Sequence, residues 1–219
     1  MIRLAERVQK LREVTGASTN CGWMVDEVAS FLYALVKFYK PDLTIQIGHL
    51  WGKSALFVLE ALADGFGQFE DQCHNPDKPF LAYIDAHRPQ AVSPLFMSVD
   101  PVPQGYVNGP LGIALLNEWY PNIFRFFGMK SQDFFAEHGH SISNQYAGKS
   151  IMTIVDGDHS EEGCLNDLIR SYTVGSQVIF LDDIDLGSQI KQAADRFAET
   201  YGYHYAPLHV YNGVGIFVK

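Results

Sequence analysis

The sequence has few cysteines, no long apolar segment and no cluster of basic residues, and each of these absences excludes a class of protein. The three cysteines, Cys21, Cys73 and Cys164, are odd in number and widely spaced, so neither a disulfide framework nor a CxxC metal or redox site is indicated. Free thiols in a reducing cytoplasm are the expected state. No apolar run approaches the roughly 20 residues that a membrane helix requires, and the charged N-terminal segment does not resemble a signal peptide. We therefore expect a cytoplasmic protein without a membrane partner.

Basic charge is also scarce. The chain has 25 acidic and 16 basic residues, which gives a formal charge of -9. A nucleic-acid partner is not expected, because proteins that bind the phosphate backbone usually present a basic face. A length of 219 residues fits one α/β domain. We predict a single domain over residues 1–219, with N-terminal helices in 1–40 and an α/β core in 41–219.

Short apolar segments alternate with segments of helical periodicity along the chain. Predicted strands lie at 43–47, 80–84, 122–127, 151–155, 177–181, 203–210 and 213–218. Predicted helices lie at 2–15, 23–39, 54–63, 131–137, 162–171 and 188–201. The alternation predicts a doubly wound α/β fold with a mostly parallel seven-stranded sheet. Asn212-Gly213 is a strong hairpin signal, so the last two strands add an antiparallel C-terminal hairpin strand. The proline-rich stretch 90–110 is interpreted as an irregular lid.

Ligands of such sheets bind outside the carboxyl ends of the strands. After the first predicted strand, Gly48 and Gly52 allow a sharp turn and a close approach of the backbone to a ligand, and the helix that includes Ser54 points its N–H groups at the same space. An ordinary strand–helix turn explains these glycines equally well. The GxGxxG pattern of dinucleotide-binding proteins is absent.

Polar residues follow the next two predicted strands. Asp85 follows the second and could accept hydrogen bonds from ribose hydroxyls, although a turn or cap aspartate is an equal alternative. Ser131 follows the third and is suited to the N-cap of the next helix. Gln132 could present its amide to an adenine edge.

The fourth and fifth predicted strands end in acidic residues. Asp156-Gly-Asp-His159 places two carboxylates and an imidazole within four residues, and Asp182-Asp183 follows the neighbouring strand. Their repulsion needs compensation, which a divalent cation would supply. Oxygen ligands favour Mg²⁺, Ca²⁺ or Mn²⁺ over zinc. Beside a substrate hydroxyl, His159 could act as general base. Capping of two helices is the alternative for one aspartate of each pair.

These strings together resemble a known family. Ile-Gly-x-x-x-Gly-x-Ser-Ala, Ile-Asp, Ser-Gln-Asp, Val-Asp-Gly-Asp-His-Ser and Asp-Asp occur in this order between Met24 and Lys219. The pattern is similar to that of class I S-adenosylmethionine-dependent methyltransferases, closest to the small-molecule O-methyltransferases of the macrolide-sugar type and more distantly to catechol O-methyltransferases. Asp-Gly-Asp-His-Ser followed by Asp-Asp is its most specific part.

The resemblance implies a cofactor site and a reaction. By position, Gly48 and Gly52 would line the methionine part of S-adenosylmethionine, Asp85 would hold its ribose, and Ser131 and Gln132 would face its adenine. The matched segments also place Ser54 and Asp156 in the cofactor site. Asp156, Asp182 and Asp183 match positions that bind Mg²⁺ in metal-dependent members, and His159 matches the base of the sugar-modifying members. The implied activity is metal-assisted O-methylation of a small-molecule hydroxyl.

The sequence departs from the family pattern at the first turn. Gln46 replaces the usual acidic residue, and His49, Leu50 and Trp51 are bulkier than usual. These departures leave open a catalytically inactive relative that keeps the fold as a binding or assembly module. A metal-dependent hydrolase that uses the same acids is a third hypothesis. The aromatic content leaves a homodimer open, since core packing explains that content equally well.

Overall fold

The computed structural model of the protein describes residues 2–16, 24–65, 94–101 and 108–219. These residues form seven helices: α1 (Ile2–Thr15), α2 (Asp26–Tyr39), α3 (Lys53–Gly65), α4 (Gly109–Trp119), α5 (Ser131–Gln145), α6 (Glu161–Thr173) and α7 (Ser188–Tyr201). They also form seven strands: β1 (Leu43–Ile47), β2 (Leu95–Val99), β3 (Phe124–Phe127), β4 (Ile151–Val155), β5 (Val178–Asp182), β6 (His204–Leu208) and β7 (Val214–Val218). Within the described part of the chain, no helix combines the length and apolarity needed to cross a membrane.

The seven strands form one mixed sheet in the order β3-β2-β1-β4-β5-β7-β6. The pairings from β3 through β5 are parallel, and β7 runs antiparallel to both β5 and β6. The predicted α/β class, the mostly parallel sheet and the antiparallel C-terminal hairpin are confirmed. That all seven strands belong to a single domain over 1–219 stays a prediction.

The central strands are buried on both faces. Every residue of β1, β4 and β5 is buried, which explains their nearly continuous β-branched and apolar sequences. Successive side chains of a strand alternate between faces, so Met152 and Ile154 join the core beneath α1–α4, whereas Ile151 and Val155 join the core beneath α5–α7. Two helical layers therefore cover the sheet and leave its strand ends as the place for a site.

The helices bury apolar residues that recur at helical spacing, although Phe31 and Phe38 of α2, which share that periodicity, are exposed. In α2, Val28, Leu32 and Val36 recur at helical spacing on the buried side. In α7, Ile190, Ala193 and Phe197 do the same. Both amphipathic faces hold their helices on the sheet, one on each side.

The segment around the second strand differs from the prediction. Residues 80–84 lie outside the described residues, and the strand that pairs with β1 on the side away from β4 is β2 at Leu95–Val99. The interpretation of 90–110 as an irregular lid was therefore wrong for this strand, and also for the start of α4 at Gly109. Prolines 94, 101 and 103 flank β2, and their turn-forming character concealed a five-residue strand whose partners are distant in sequence.

Candidate functional site

Parallel pairing aligns the ends of four neighbouring strands. The partner residues from β2 to β5 are Val99, Ile47, Val155 and Leu181. The next residues in the chain are Asp100, Gly48, Asp156 and Asp182. Since adjacent strands are about 5 Å apart, these residues lie side by side along the carboxyl edge of the sheet.

Gly48 is required at its place in this row. Its φ is +86°, and a Cβ there would collide with the backbone carbonyl of Asp156. The turn after β1 can therefore lie directly against the end of β4, and only glycine permits this approach.

Asp100 fixes the other side of this turn. Its Oδ2 accepts hydrogen bonds from the backbone N–H groups of His49, at 2.8 Å, and Leu50, at 3.2 Å. Leu50 has a φ of +47°, so the carboxylate helps to hold a strained backbone. The prediction missed Asp100 because it missed β2. The residue occupies the position after the second strand for which the sequence had indicated Asp85, which lies outside the described residues.

Two of the three bulky residues of the turn, His49 and Trp51, are packed inside the protein. The His49 ring stacks on Phe124, with 5.9 Å between centroids, and its Nδ1 lies 2.7 Å from the Ser98 hydroxyl. Burial lowers the pKa of His49 to about 3, so its imidazole is neutral. Trp51 is also buried, in the apolar core. Both rings fill the interior of the protein, and Leu50 borders the cleft beside the turn.

Gln46 has a local reason to replace an acidic residue. Its buried Nε2 donates to the carbonyl of Gly48 at 2.6 Å and to the hydroxyl of Ser54 at 2.8 Å. A carboxylate would face the Gly48 carbonyl without a proton to donate. Ser54 is thus engaged with the strand end and is not among the described residues that line the large cleft.

The strand ends open into a cleft of about 890 Å³ among the described residues. Its lining includes residues at the start of α5 and on α6, namely Lys130, Ser131, Gln132, Asp167 and Arg170, and residues that follow β4 and β5, namely Asp156, His159 and Asp183. The turn after β1 and Asp100 also line it. The volume lies within the range of small-molecule and cofactor sites.

Ser131 occupies a different place from the predicted one. The N-cap of α5 is Lys130, and Ser131 is the first helical residue, so the prediction of Ser131 as N-cap was wrong. Its hydroxyl donates to Oδ1 of Asp167 at 2.6 Å. Asp167 is almost fully buried, and this burial raises its pKa to about 6 against the opposing effects of Ser131 and Arg170. Helix α5 is thereby attached to α6 at the cleft wall.

Two carboxylates and an imidazole converge where β4 and β5 end. Oxygens of Asp156 and Asp183 each lie 3.7 Å from Nε2 of His159, and the three ligand atoms all lie within 4.8 Å of one another. We call these three residues the acid–histidine group. Burial raises the pKa of Asp156. The contact with Asp156 in turn raises the pKa of His159. A protonated imidazole or a divalent cation would each offset the repulsion between the carboxylates.

Asp182 lies beside this group without belonging to it. It is the last residue of β5, and its carboxylate accepts a hydrogen bond from the N–H of Asp183. Burial raises its pKa well above the ordinary value, and Asp156 and Asp183 add to the effect. The sequence predicted a metal site of Asp156, Asp182 and Asp183. Among the described residues, the group whose ligand atoms lie close enough to hold a cation is Asp156, His159 and Asp183.

The structure brings most of the predicted residues to one cleft. Those that line it are Gly48, Ser131, Gln132, Asp156, His159 and Asp183. Gly52 lies against Leu116 and the His49 ring. Asp158, the other acid of the fourth strand end, accepts from the N–H of Ser160, whose hydroxyl caps α6.

No protein-family model and no curated protein sequence matches the chain. Solved structures do match over nearly its whole length. An O-methyltransferase from Bacillus cereus in complex with SAH is 13% identical, with a TM-score of 0.61, 99% of this chain covered and 90% of that one. An SAH-bound methyltransferase from Podospora anserina is 13% identical, with a TM-score of 0.62 and coverage of 98% and 86%. The O-methyltransferase TomG from Streptomyces achromogenes, in complex with SAM, is 12% identical, with a TM-score of 0.58 and coverage of 89% and 80%.

The chain has the class I methyltransferase fold. At these identities the likeness is one of architecture, and it extends to the antiparallel strands at the C-terminal end of the sheet. In a sheet of this kind the cleft at the carboxyl edge is the expected ligand site. In this chain, that edge holds the cleft lined by Gly48, Asp100 and Asp156.

Proposed function

We propose that the protein is an S-adenosylmethionine-dependent methyltransferase that methylates a hydroxyl of a small molecule. One observation carries the proposal: on this fold, a single cleft joins the Gly48 turn and Asp100 to the acid–histidine group. Structures of the same fold were solved with SAM or SAH, which supports this cofactor.

The proposed cofactor end follows from the row of strand ends. Gly48 has no side chain, so a ligand can lie against the backbone there. Asp100 is the carboxylate suited to ribose hydroxyls, a role that the sequence had assigned to Asp85. Ser131 and Gln132 would border the adenine. S-adenosylmethionine supplies a methyl group on a sulfonium centre when bound.

The proposed acceptor end is the acid–histidine group. His159 would accept the proton of the attacking hydroxyl, and Asp156 and Asp183 would stabilise the imidazolium that forms. Holding the hydroxyl oxygen beside the methyl donor removes most of the entropic barrier to transfer.

A divalent cation fits the same group. Two carboxylates and one imidazole whose ligand atoms lie within 4.8 Å of one another are a suitable donor set. Asp156, His159 and Asp183 would hold the ion, which would lower the pKa of an acceptor hydroxyl. His159 would then be a ligand of the ion, and its role as general base applies to the cleft without the ion. We propose the ion as an addition to the methyl transfer described above.

Calorimetric titration with S-adenosylmethionine, with and without Mg²⁺, tests the proposal. We expect saturable binding by the wild type, and about tenfold weaker binding by Asp100→Asn, because a charged hydrogen-bond acceptor is lost. Asp133→Asn changes an exposed carboxylate and serves as the matched control. Absence of binding in both conditions would contradict the proposal and favour a binding or assembly module.

A further inference from the structure

The hairpin turn between β6 and β7 does more than reverse the chain. The backbone N–H of Ile184 donates to the carbonyl of Gly213 at 3.2 Å, and that of Asp185 donates to the carbonyl of Asn212 at 2.6 Å. The turn is thus attached to the segment that follows β5, which contains Asp183 of the acid–histidine group.

Asn212 makes a further contact in this attachment. Its Nδ2 donates to Oδ1 of Asp183 at 2.9 Å, while Oδ2 of Asp183 faces His159. One carboxylate oxygen is therefore fixed by the hairpin and the other is directed into the group.

The backbone of Asp183 needs this support. Its φ of +61° lies in the left-handed region, which costs a residue with a side chain about 1 kcal/mol or more. Gly213, at φ +79°, can lie against this segment because it has no Cβ. A Cβ at this position would collide with the carboxylate of Asp185. The Asn-Gly pair thus allows the turn to contact the strained segment closely.

We propose that Asn212 is a positioning residue that holds the Asp183 carboxylate in a cation-competent arrangement with Asp156 and His159. The inference rests on the acid–histidine group of the proposed function. It assigns the hairpin a part in the site, beyond its place at the edge of the sheet.

Mn²⁺ binding, measured by the loss of the electron paramagnetic resonance signal of the free ion, tests the inference on the full chain. Asn212→Ala is expected to weaken Mn²⁺ binding about 10- to 100-fold, as is usual when a residue that orients a metal ligand is removed. His209→Ala is the matched control, because it removes the other side-chain contact of this hairpin, the 2.8 Å bond to Asp185, without touching Asp183. It should leave Mn²⁺ affinity within about twofold of the wild type.

Three results would overturn the inference: unchanged Mn²⁺ affinity in Asn212→Ala, equal losses in both variants, or no Mn²⁺ binding by the wild type. Unfolding midpoints of all three proteins exclude a general loss of structure as the cause of a weaker affinity. Calorimetry with SAH on the same samples reports the proposed function separately. The Asn212 inference can therefore fail while cofactor binding stands, and the reverse.

Discussion

At the scale of single residues, two histidines near the strand ends have pKa values shifted in opposite directions. His49 is kept neutral by burial, whereas His159 is drawn toward the charged form by Asp156. The two histidines thus have opposite surroundings within the same strand-end region. His49 supports the turn from inside, and His159 faces the cleft.

Asp167 gives a prediction about stability and pH. Its pKa is about 6 in the folded protein and is near 4 in the unfolded chain, so the folded state binds the proton more tightly between these values. The contribution of Asp167 to wild-type stability should therefore fall as pH rises through this window. Asp167→Asn removes the titration, so its stability relative to wild type should rise by about 2 kcal/mol between about pH 4.5 and pH 7.5.

Urea unfolding at the two pH values measures this difference. Glu118→Gln, which changes an exposed carboxyl on α4, is the matched control measured at the same two pH values. A relative stability of Asp167→Asn that does not depend on pH would show that this carboxyl is not perturbed in the folded protein.

At the scale of elements, the N-terminal helix is held by a polar cluster in which Glu60 and Tyr120 are buried and Arg7 is partly buried. Arg7 of α1 contacts Glu60 of α3, and Tyr120, which follows α4, hydrogen-bonds to both. The Arg7 guanidinium also lies 5.0 Å from the centre of the Tyr120 ring. Three helices on one face of the sheet are joined through these side chains.

Removing one member should cost more than removing two. Arg7→Met leaves Glu60 buried without its cation, and we expect a loss of about 3 kcal/mol in the free energy of unfolding. The double variant Arg7→Met with Glu60→Met should recover part of that loss, because no buried charge remains, while the buried Tyr120 hydroxyl loses both of these partners. Denaturant titration of the single and double variants measures both values.

The exposed pair Lys191–Asp195 on α7 is the control for this cycle. Lys191→Met should change stability by no more than about 0.5 kcal/mol, since surface ion pairs contribute little. If the double variant is instead less stable than Arg7→Met, the cluster contributes through packing, and its charges are not the reason that α1 is held.

Element-scale comparison also shows which features were predictable. The strands β1, β4 and β5 are recognisable because a fully buried parallel strand needs an unbroken apolar sequence. β2 is not recognisable in the same way, because its sequence, LFMSV, is flanked by prolines. It forms a strand because it pairs with β1 and β3. The missed strand removed Asp100 from the predicted site.

The contacts between side chains at the site were only partly predictable from the sequence. The cluster of acids at the strand ends was predictable because parallel strands bring their carboxyl ends together. Which acid would face His159 was not, since this depends on the left-handed backbone of Asp183 and on Asn212, which is 29 residues away in the chain. The role of Asn212-Gly213 as a hairpin turn was visible in the sequence, and its contact with Asp183 was not.

At the scale of the whole molecule, the two helical layers leave one long edge of the sheet for ligands. Along that edge lie the α5–α6 wall, Asp100 and the Gly48 turn, and the acid–histidine group. Under the proposed function, a cofactor bound along this edge would share one cleft with the acid–histidine group. Whether the protein forms a homodimer, which the aromatic content of the sequence left open, stays untested.

A crystal structure of the protein with bound S-adenosylmethionine tests this account most directly. We predict density in the cleft, with the ribose beside Asp100, the adenine near Gln132 and the methyl group directed toward His159. Density at another surface, or a ligand whose methyl group points away from Asp156, His159 and Asp183, would contradict the account.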